Sequence, residues 1–171
     1  MSQPVWVFGY GSLIWRPDFP FLARRPAALR GFERRFWQGS HDHRGLPDAP
    51  GRVVTLIANG QATCRGMAYL IEPNVFDHLD YREKNGYDRF DVELVFDDCR
   101  GDGVVYIAPI DNHAFLGDAP LTEIAEQIHG SCGPSGHNVE HVTRLAEALR
   151  ELDAHDPHVF ELAAAVAGGE S

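Results

Sequence analysis

Short segments rich in β-branched and aromatic residues alternate with Gly- and Pro-containing breaks up to residue 108. Within residues 89–96 the apolar positions Phe90, Val92 and Leu94 also share one face. Both features are typical of β-strands. The pattern predicts strands at residues 5–8, 32–37, 53–58, 66–71, 89–96 and 104–108.

From Pro120 onwards the apolar period becomes helical. The first helix is predicted to begin with Pro120 at its first position and to end before Gly130, burying Leu121, Ile124, Ala125 and Ile128. A second helix is predicted to bury Val142, Leu145, Ala146 and Leu149, and a third begins at Pro157. One further helix interrupts the strands, from Pro73 to about Lys84.

This order of elements, strands first and then helices, argues against a doubly wound nucleotide-binding fold. No repeat, low-complexity tract or charged tail divides the sequence. We therefore expect one α+β domain over residues 1–171. It would hold a small mixed β-barrel or sheet of about six strands with packed helices, and its C-terminal third would be helical.

The charge balance limits the classes of partner. The 171 residues hold 15 Lys and Arg against 25 Asp and Glu, a formal net charge of −10. This acidity argues against nucleic acid, and it requires any anion site to use backbone N–H groups or a few arginines. Three separated cysteines without a C-x-x-C pair, and no run near the roughly 18 apolar residues of a membrane span, predict a cytoplasmic protein without a membrane partner.

Glu83 is out of place in the helix predicted after Pro73. The apolar stripe of that helix is Val75, Phe76 and Leu79, and Glu83 falls roughly 35° from its centre at about 100° per residue. Burial raises the pKa of a carboxyl group, which suits a general base working near neutral pH. The alternative is an ion pair with an arginine at the helix end.

The segment Gly9-Tyr10-Gly11-Ser12-Leu13 follows the first predicted strand directly. Glycines there allow a sharp turn that presents successive backbone N–H groups to a carboxylate or phosphate. A tight turn without a ligand is the alternative, because the segment matches neither G-x-G-x-x-G nor the P-loop pattern.

Two histidine-containing segments raise the question of a metal. His41 and His43 share one face of an extended segment, and residues 137–141 match the H-x-x-E-H zinc pattern. Neither has an evident third ligand, so we expect no metal. Arg44, which a glycine follows, is better suited to bidentate contact with a carboxylate.

Several longer blocks occur in a familiar order. They are residues 7–15, 35–40, 42–45, 50–56, 82–87, and 116–117 through 133–136. Together they resemble the ChaC-type γ-glutamylcyclotransferases, collinearly from Val5 to about Phe160. One departure is Asn85, where the family often has glycine; Asn also tolerates left-handed backbone.

The resemblance implies an enzyme that splits glutathione into 5-oxoproline and cysteinylglycine without a metal or cofactor, and without an obligate protein partner. It matches Glu83 to the proton acceptor. It matches the loop that holds the γ-glutamyl group to Gly9, Tyr10, Gly11, Ser12, Leu13 and Ile14. Tyr10 and Tyr87 are further candidates as hydroxyl donors, and Arg44 or Arg52 as receptor of the glycine carboxylate.

Two other hypotheses stay open at this point. In one, the same reaction acts on other γ-glutamyl amines or γ-glutamyl amino acids, because neither the base nor the loop senses the leaving group. In the other, the chain is a non-enzymatic carboxylate-binding or interaction domain in which Glu83 is only an ion-pair partner.

Overall fold

A computed structural model describes residues 3–17, 19–40, 44–45, 50–82, 87–108, 111, 114–133 and 136–168. The chain forms two compact units. The first comprises Met1–Glu33 and Leu56–Pro109, and the second comprises Arg34–Thr55 and Ile110–Ser171. The boundary after Glu33 falls within the strand Ala23–Ser40, and the boundary after Thr55 falls within the strand Gly51–Ile71.

Five strands close into a barrel in the order β1-β3-β2-β4-β5. Their bounds are β1 Val5–Gly9, β2 Ala23–Ser40, β3 Gly51–Ile71, β4 Asp88–Val95 and β5 Arg100–Ile107. Strand β1 runs antiparallel to β3 and parallel to β5, so the barrel is mixed, as predicted. Strand β1 is flanked on both sides, and its residues Val7 and Phe8 are almost fully buried, which explains its unbroken apolar run.

The structure corrects the predicted number of strands from about six to five in the barrel. Residues 53–58 and 66–71 lie in the single strand β3. Between them, residues 59–61 are exposed and include Asn59 and Gly60, so their polarity resembles that of a turn. Strand β2 also begins at Ala23, well before the predicted residue 32, in an arginine-containing stretch of mixed exposure.

The helices agree with the helical period. They are α1 Val75–Arg82, α2 Leu121–His129, α3 Asn138–Glu151 and α4 Pro157–Gly168. Two corrections concern the starts of helices: α1 begins at Val75 and not at Pro73, and Pro120 lies at the N-cap of α2 and not at its first helical position. A second sheet pairs β6 (Cys132–Gly133) with β7 (Gly136–His137) immediately before α3.

The three C-terminal helices pack on one another within the second unit. Most of the side chains that the period predicted are buried, including Ile124 and Ile128 of α2 and Leu145 and Leu149 of α3, whereas Leu121 is only half-buried. Among the described residues, no helix combines the length and apolarity that a membrane crossing requires.

Candidate functional site

The glycine-containing segment after β1 forms a single 3₁₀ turn at Ser12–Ile14. Its first internal hydrogen bond runs from the Ile14 N–H to the Gly11 carbonyl at 2.9 Å. The N–H groups of Ser12 and Leu13 therefore have no partner inside the turn, and the N-cap residue Gly11 has no side chain that could cap it. Such N–H groups can donate to a carboxylate or to a developing oxyanion.

Gly9 is needed here for space and not for an unusual backbone angle. A Cβ atom at Gly9 would lie 2.9 Å from the Cβ of Leu13. On the neighbouring strand β3, a Cβ at Gly66 would lie 2.3 Å from the Gly9 carbonyl oxygen. The two glycines let β1, β3 and the turn approach more closely than side chains would permit.

Tyr10 fixes the start of this segment within the first unit. Its side chain is buried, and its hydroxyl donates to the carbonyl of Tyr106 in β5 at 2.6 Å. A hydroxyl carries a single proton, so while this bond holds the Tyr10 hydroxyl can only accept a hydrogen bond from a ligand. The main chain of Tyr10 can also contact a ligand.

Tyr69 is a residue that sequence reasoning missed. It lies on β3 and is fully buried, and its single hydroxyl proton is shared between the carbonyl of Leu13 at 2.6 Å and that of Ile14 at 3.2 Å. Burial raises the pKa of the Tyr69 phenol. In the sequence Tyr69 is one of several large side chains in the predicted strand 66–71, so no local pattern indicates a role for its hydroxyl.

Of the stripe that the sequence predicted for α1, Leu79 is fully buried, Val75 is nearly so and Phe76 is half-buried. Glu83 lies outside the described residues, immediately after Arg82, so its position relative to that stripe stays a prediction. Tyr87 is half-buried just before β4. Its role as a hydroxyl donor also stays a prediction.

Arg52 belongs to the second unit and is buried there. Its Nε donates to the Gln127 side chain at 2.8 Å, and its Nη1 donates to the carbonyls of Phe36 and Gly117 at 2.9 and 3.1 Å. Burial lowers the pKa of this guanidinium, with Glu123 and Asp118 acting in the opposite direction. Three hydrogen bonds of the Arg52 guanidinium therefore go to groups within the second unit itself.

The main chain of Arg52 is held by a second residue that sequence reasoning missed, Asn138. The Arg52 N–H donates to the Asn138 Oδ1 at 2.8 Å, and the Asn138 Nδ2 donates to the Arg52 carbonyl at 2.7 Å. Asn138 is fully buried and opens α3. No pattern in the sequence singled this residue out.

Arg44 is also buried in the second unit. Its N–H donates to the Ser40 hydroxyl at 2.8 Å, its Nη1 donates to the His137 carbonyl at 3.0 Å, and Glu140 lies at 3.6 Å. Receipt of a substrate carboxylate by Arg44 or Arg52 stays a prediction.

The histidines of the zinc-like pattern have other surroundings. His137 caps α3 by accepting the Val139 N–H on its Nδ1, and His141 is buried edge-on to the ring of Phe36. In the part of the chain that the structure describes, no three His, Cys, Asp or Glu side chains lie close enough to hold a metal ion. Residues 41–43 lie outside that part.

The first unit thus brings the Ser12–Ile14 turn together with Tyr10 and Tyr69. The second unit brings Arg52 together with Asn138, and Arg44 with His137. Each set rests on buried or partly buried hydrogen bonds, which is how a fold holds a binding site in place.

Comparison with known proteins extends this picture. A relative from Arabidopsis thaliana, gamma-glutamylcyclotransferase 2-3, is 46% identical over 93% of this chain and 86% of its own. The Homo sapiens glutathione-specific gamma-glutamylcyclotransferase 1 is 39% identical over 96% of this chain and 79% of its own. A crystal structure of the yeast gamma-glutamylcyclotransferase specific to glutathione superposes with a TM-score of 0.91 at 31% identity, covering 98% of this chain and 97% of that one.

The family model for ChaC-like proteins matches residues 5–168, almost the whole chain. The barrel, the turn after β1 and the C-terminal helices all lie inside that match. The chain belongs to the ChaC-like protein family.

Proposed function

We propose that this chain cleaves glutathione by cyclising its γ-glutamyl group, releasing 5-oxoproline and cysteinylglycine. The observation that carries the proposal is similarity along the whole chain to relatives named as specific for glutathione, in sequence and in fold. The buried anchoring of the turn after β1 supports it, because that turn presents N–H groups to an anionic or carbonyl oxygen.

The reaction needs no nucleophile from the protein. The α-amine of the γ-glutamyl group attacks its own γ-carbonyl, and the nitrogen of cysteinylglycine leaves. Holding a flexible arm in the attacking geometry contributes on the order of 7 to 11 kcal/mol at best. The main task of the protein is therefore to fold the substrate and to move one proton.

Glu83 is proposed as the group that moves the proton. It would take a proton from the attacking amine and return it to the departing cysteinylglycine nitrogen, a contribution of roughly 10² to 10⁴-fold. The N–H groups of Ser12 and Leu13 are proposed to hold the γ-glutamyl carboxylate or the developing oxyanion. Neither role requires a metal or cofactor.

The net charge of −10 opposes the approach of an anion such as glutathione. Local backbone N–H groups offset this repulsion once the substrate is bound, since they carry partial positive charge without a basic side chain. The acidity should therefore slow capture of the substrate without excluding it. We also propose a cytoplasmic location, in keeping with three free cysteine thiols.

A second candidate is the same cyclisation of other γ-glutamyl compounds. One specific observation favours it: the relative at 46% identity carries a name that does not specify glutathione. A panel of glutathione, γ-glutamyl amino acids and γ-glutamyl amines compared by kcat/KM separates the two candidates. A higher kcat/KM for a γ-glutamyl amine than for glutathione would select the second.

The mechanism is tested by Glu83→Gln, which keeps the size of the side chain and removes the base. We expect 5-oxoproline formation from glutathione to fall at least about 10²-fold. Asp77→Asn is the matched control, because Asp77 is an exposed carboxylate on α1. Full activity of Glu83→Gln would refute this role for Glu83, and thermal stabilisation by glutathione without any turnover would point to a binding domain.

A further inference from the structure

Tyr69 joins the barrel to the Ser12–Ile14 turn. Tyr69 of β3 pairs with Val7 of β1, so the backbone of Tyr69 is held next to the strand that leads into the turn. From there its hydroxyl reaches the carbonyls of Leu13 and Ile14. One side chain therefore ties the turn to the strand beside it.

The surroundings of Tyr69 leave its ring little freedom. Phe19 packs edge-on at 5.5 Å and Phe21 at 5.1 Å, measured between ring centroids. The residue is fully buried, and a phenol is protonated at neutral pH, so the hydroxyl is available as a hydrogen-bond donor. A buried aromatic ring with a single polar atom commonly directs that atom at a fixed partner.

The hydrogen bonds of the turn are distributed unevenly. The carbonyls of Gly11 and Ser12 accept from amides of the same segment, and those of Leu13 and Ile14 accept from Tyr69. All four carbonyl groups of residues 11–14 thus accept a hydrogen bond, whereas the N–H groups of Ser12 and Leu13 have no partner within the turn. Because these N–H groups belong to the same short turn, their direction depends on how firmly its carbonyl groups are held.

We propose that Tyr69 is a positioning residue that sets the direction of the Ser12 and Leu13 N–H groups by anchoring the carbonyls of Leu13 and Ile14. Tyr69 contacts the turn and not the substrate. The consequence for activity rests on the proposed function of the turn in holding the γ-glutamyl group. The anchoring itself rests only on the geometry of the first unit.

Tyr69→Phe tests the anchoring by removing the hydroxyl alone. Amide hydrogen exchange of Ile14, Trp15 and Arg16, whose N–H groups bond within the segment, should become about 5 to 30-fold faster. Ser131→Ala is the control, because it also removes a buried hydroxyl that donates to a backbone carbonyl, that of Gln127 at 2.6 Å. Unchanged exchange of the three amides in Tyr69→Phe would overturn the proposal.

The same two variants test the consequence for activity on glutathione. Misplaced binding groups should lower kcat/KM about 10 to 100-fold and raise KM, at temperatures well below the unfolding midpoint. A variant that is only less stable loses kcat in proportion to its folded fraction and keeps its KM. For Ser131→Ala we expect no more than this loss of kcat, with an unchanged KM.

The outcomes separate the two ideas. An active wild type together with an unchanged KM and kcat/KM in Tyr69→Phe would overturn the positioning role and leave the proposed function intact. A wild type that forms no 5-oxoproline from glutathione would overturn the proposed function, and the exchange experiment alone would then decide whether Tyr69 anchors the turn.

Discussion

Replacement of Asn138 by alanine should destabilise the second unit more than any exposed amide could. The buried amide side chain satisfies both the N–H and the carbonyl of Arg52, at 2.8 and 2.7 Å. Asn138→Ala leaves two buried main-chain groups without their partner, and each such group costs about 1 to 3 kcal/mol. The loss of one fully buried side chain adds a small cavity.

Taking the lower part of that range for each group gives a loss of about 3 kcal/mol in the free energy of unfolding. For a chain of this length each kcal/mol lowers Tm by about 2 to 4 °C, so the expected fall is about 6 to 12 °C. Thermal unfolding followed by circular dichroism measures this directly, with urea unfolding as a second probe.

Asn59→Ala is the matched control for this experiment. Asn59 is an exposed amide whose Nδ2 donates to the Glu33 carboxylate at 3.1 Å. Its removal should change the free energy of unfolding by less than about 0.5 kcal/mol. The reasoning is refuted if Asn138→Ala melts within about 2 °C of the wild type, or if the two variants lose the same stability.

Three further predictions concern stability. Gly66→Ala should unfold at a markedly lower temperature and lose activity, because the new Cβ would meet the Gly9 carbonyl oxygen at 2.3 Å; a wild-type Tm would contradict it. Asp156→Ala should cost about 3 kcal/mol in urea unfolding, since it removes one carboxylate partner of the buried Arg34 guanidinium, at 3.0 Å, and the acceptor of the Val159 N–H in α4, and adding Arg34→Met should recover part of that loss. Because the folded pKa of Tyr69 is raised by burial, its stabilising contribution is complete below the unfolded pKa of about 10 and is lost as pH rises through the folded value. Unfolding at alkaline pH should therefore show a steeper loss of stability in the wild type than in Tyr69→Phe, and equal slopes would contradict this.

The helical half of the fold follows closely from the sequence. The residues Ile124, Ile128, Leu145 and Leu149 recur at helical spacing, and all four are buried where that spacing predicts. Helix packing depends mainly on such an apolar stripe, so a local pattern carries most of the information.

The strands are less predictable, because their pairing is not local. The exposed stretch containing Asn59 and Gly60 has the composition of a turn, yet β3 continues through it since strand pairing depends on a partner distant in sequence. The same limit explains why Tyr69 and Asn138 were missed. Each acts through a hydrogen bond to main-chain atoms more than fifty residues away, which no local pattern reveals.

The candidate site was predictable where backbone geometry is local. Glycines after an apolar strand indicated a turn with available N–H groups, and Ser12–Ile14 is such a turn. The roles given to Arg44 and Arg52 came from residue type alone, which does not reveal that both guanidinium groups donate to acceptors inside the second unit.

The most direct test of the central claim is to follow the products of glutathione in ¹⁸O-labelled water by mass spectrometry. Cyclisation uses no water, so we expect 5-oxoproline without ¹⁸O and cysteinylglycine in equal amounts. Hydrolysis of the same bond would give glutamate carrying ¹⁸O in its γ-carboxylate. Labelled glutamate as the first product, or no cleavage of glutathione at all, would contradict the proposed cyclisation.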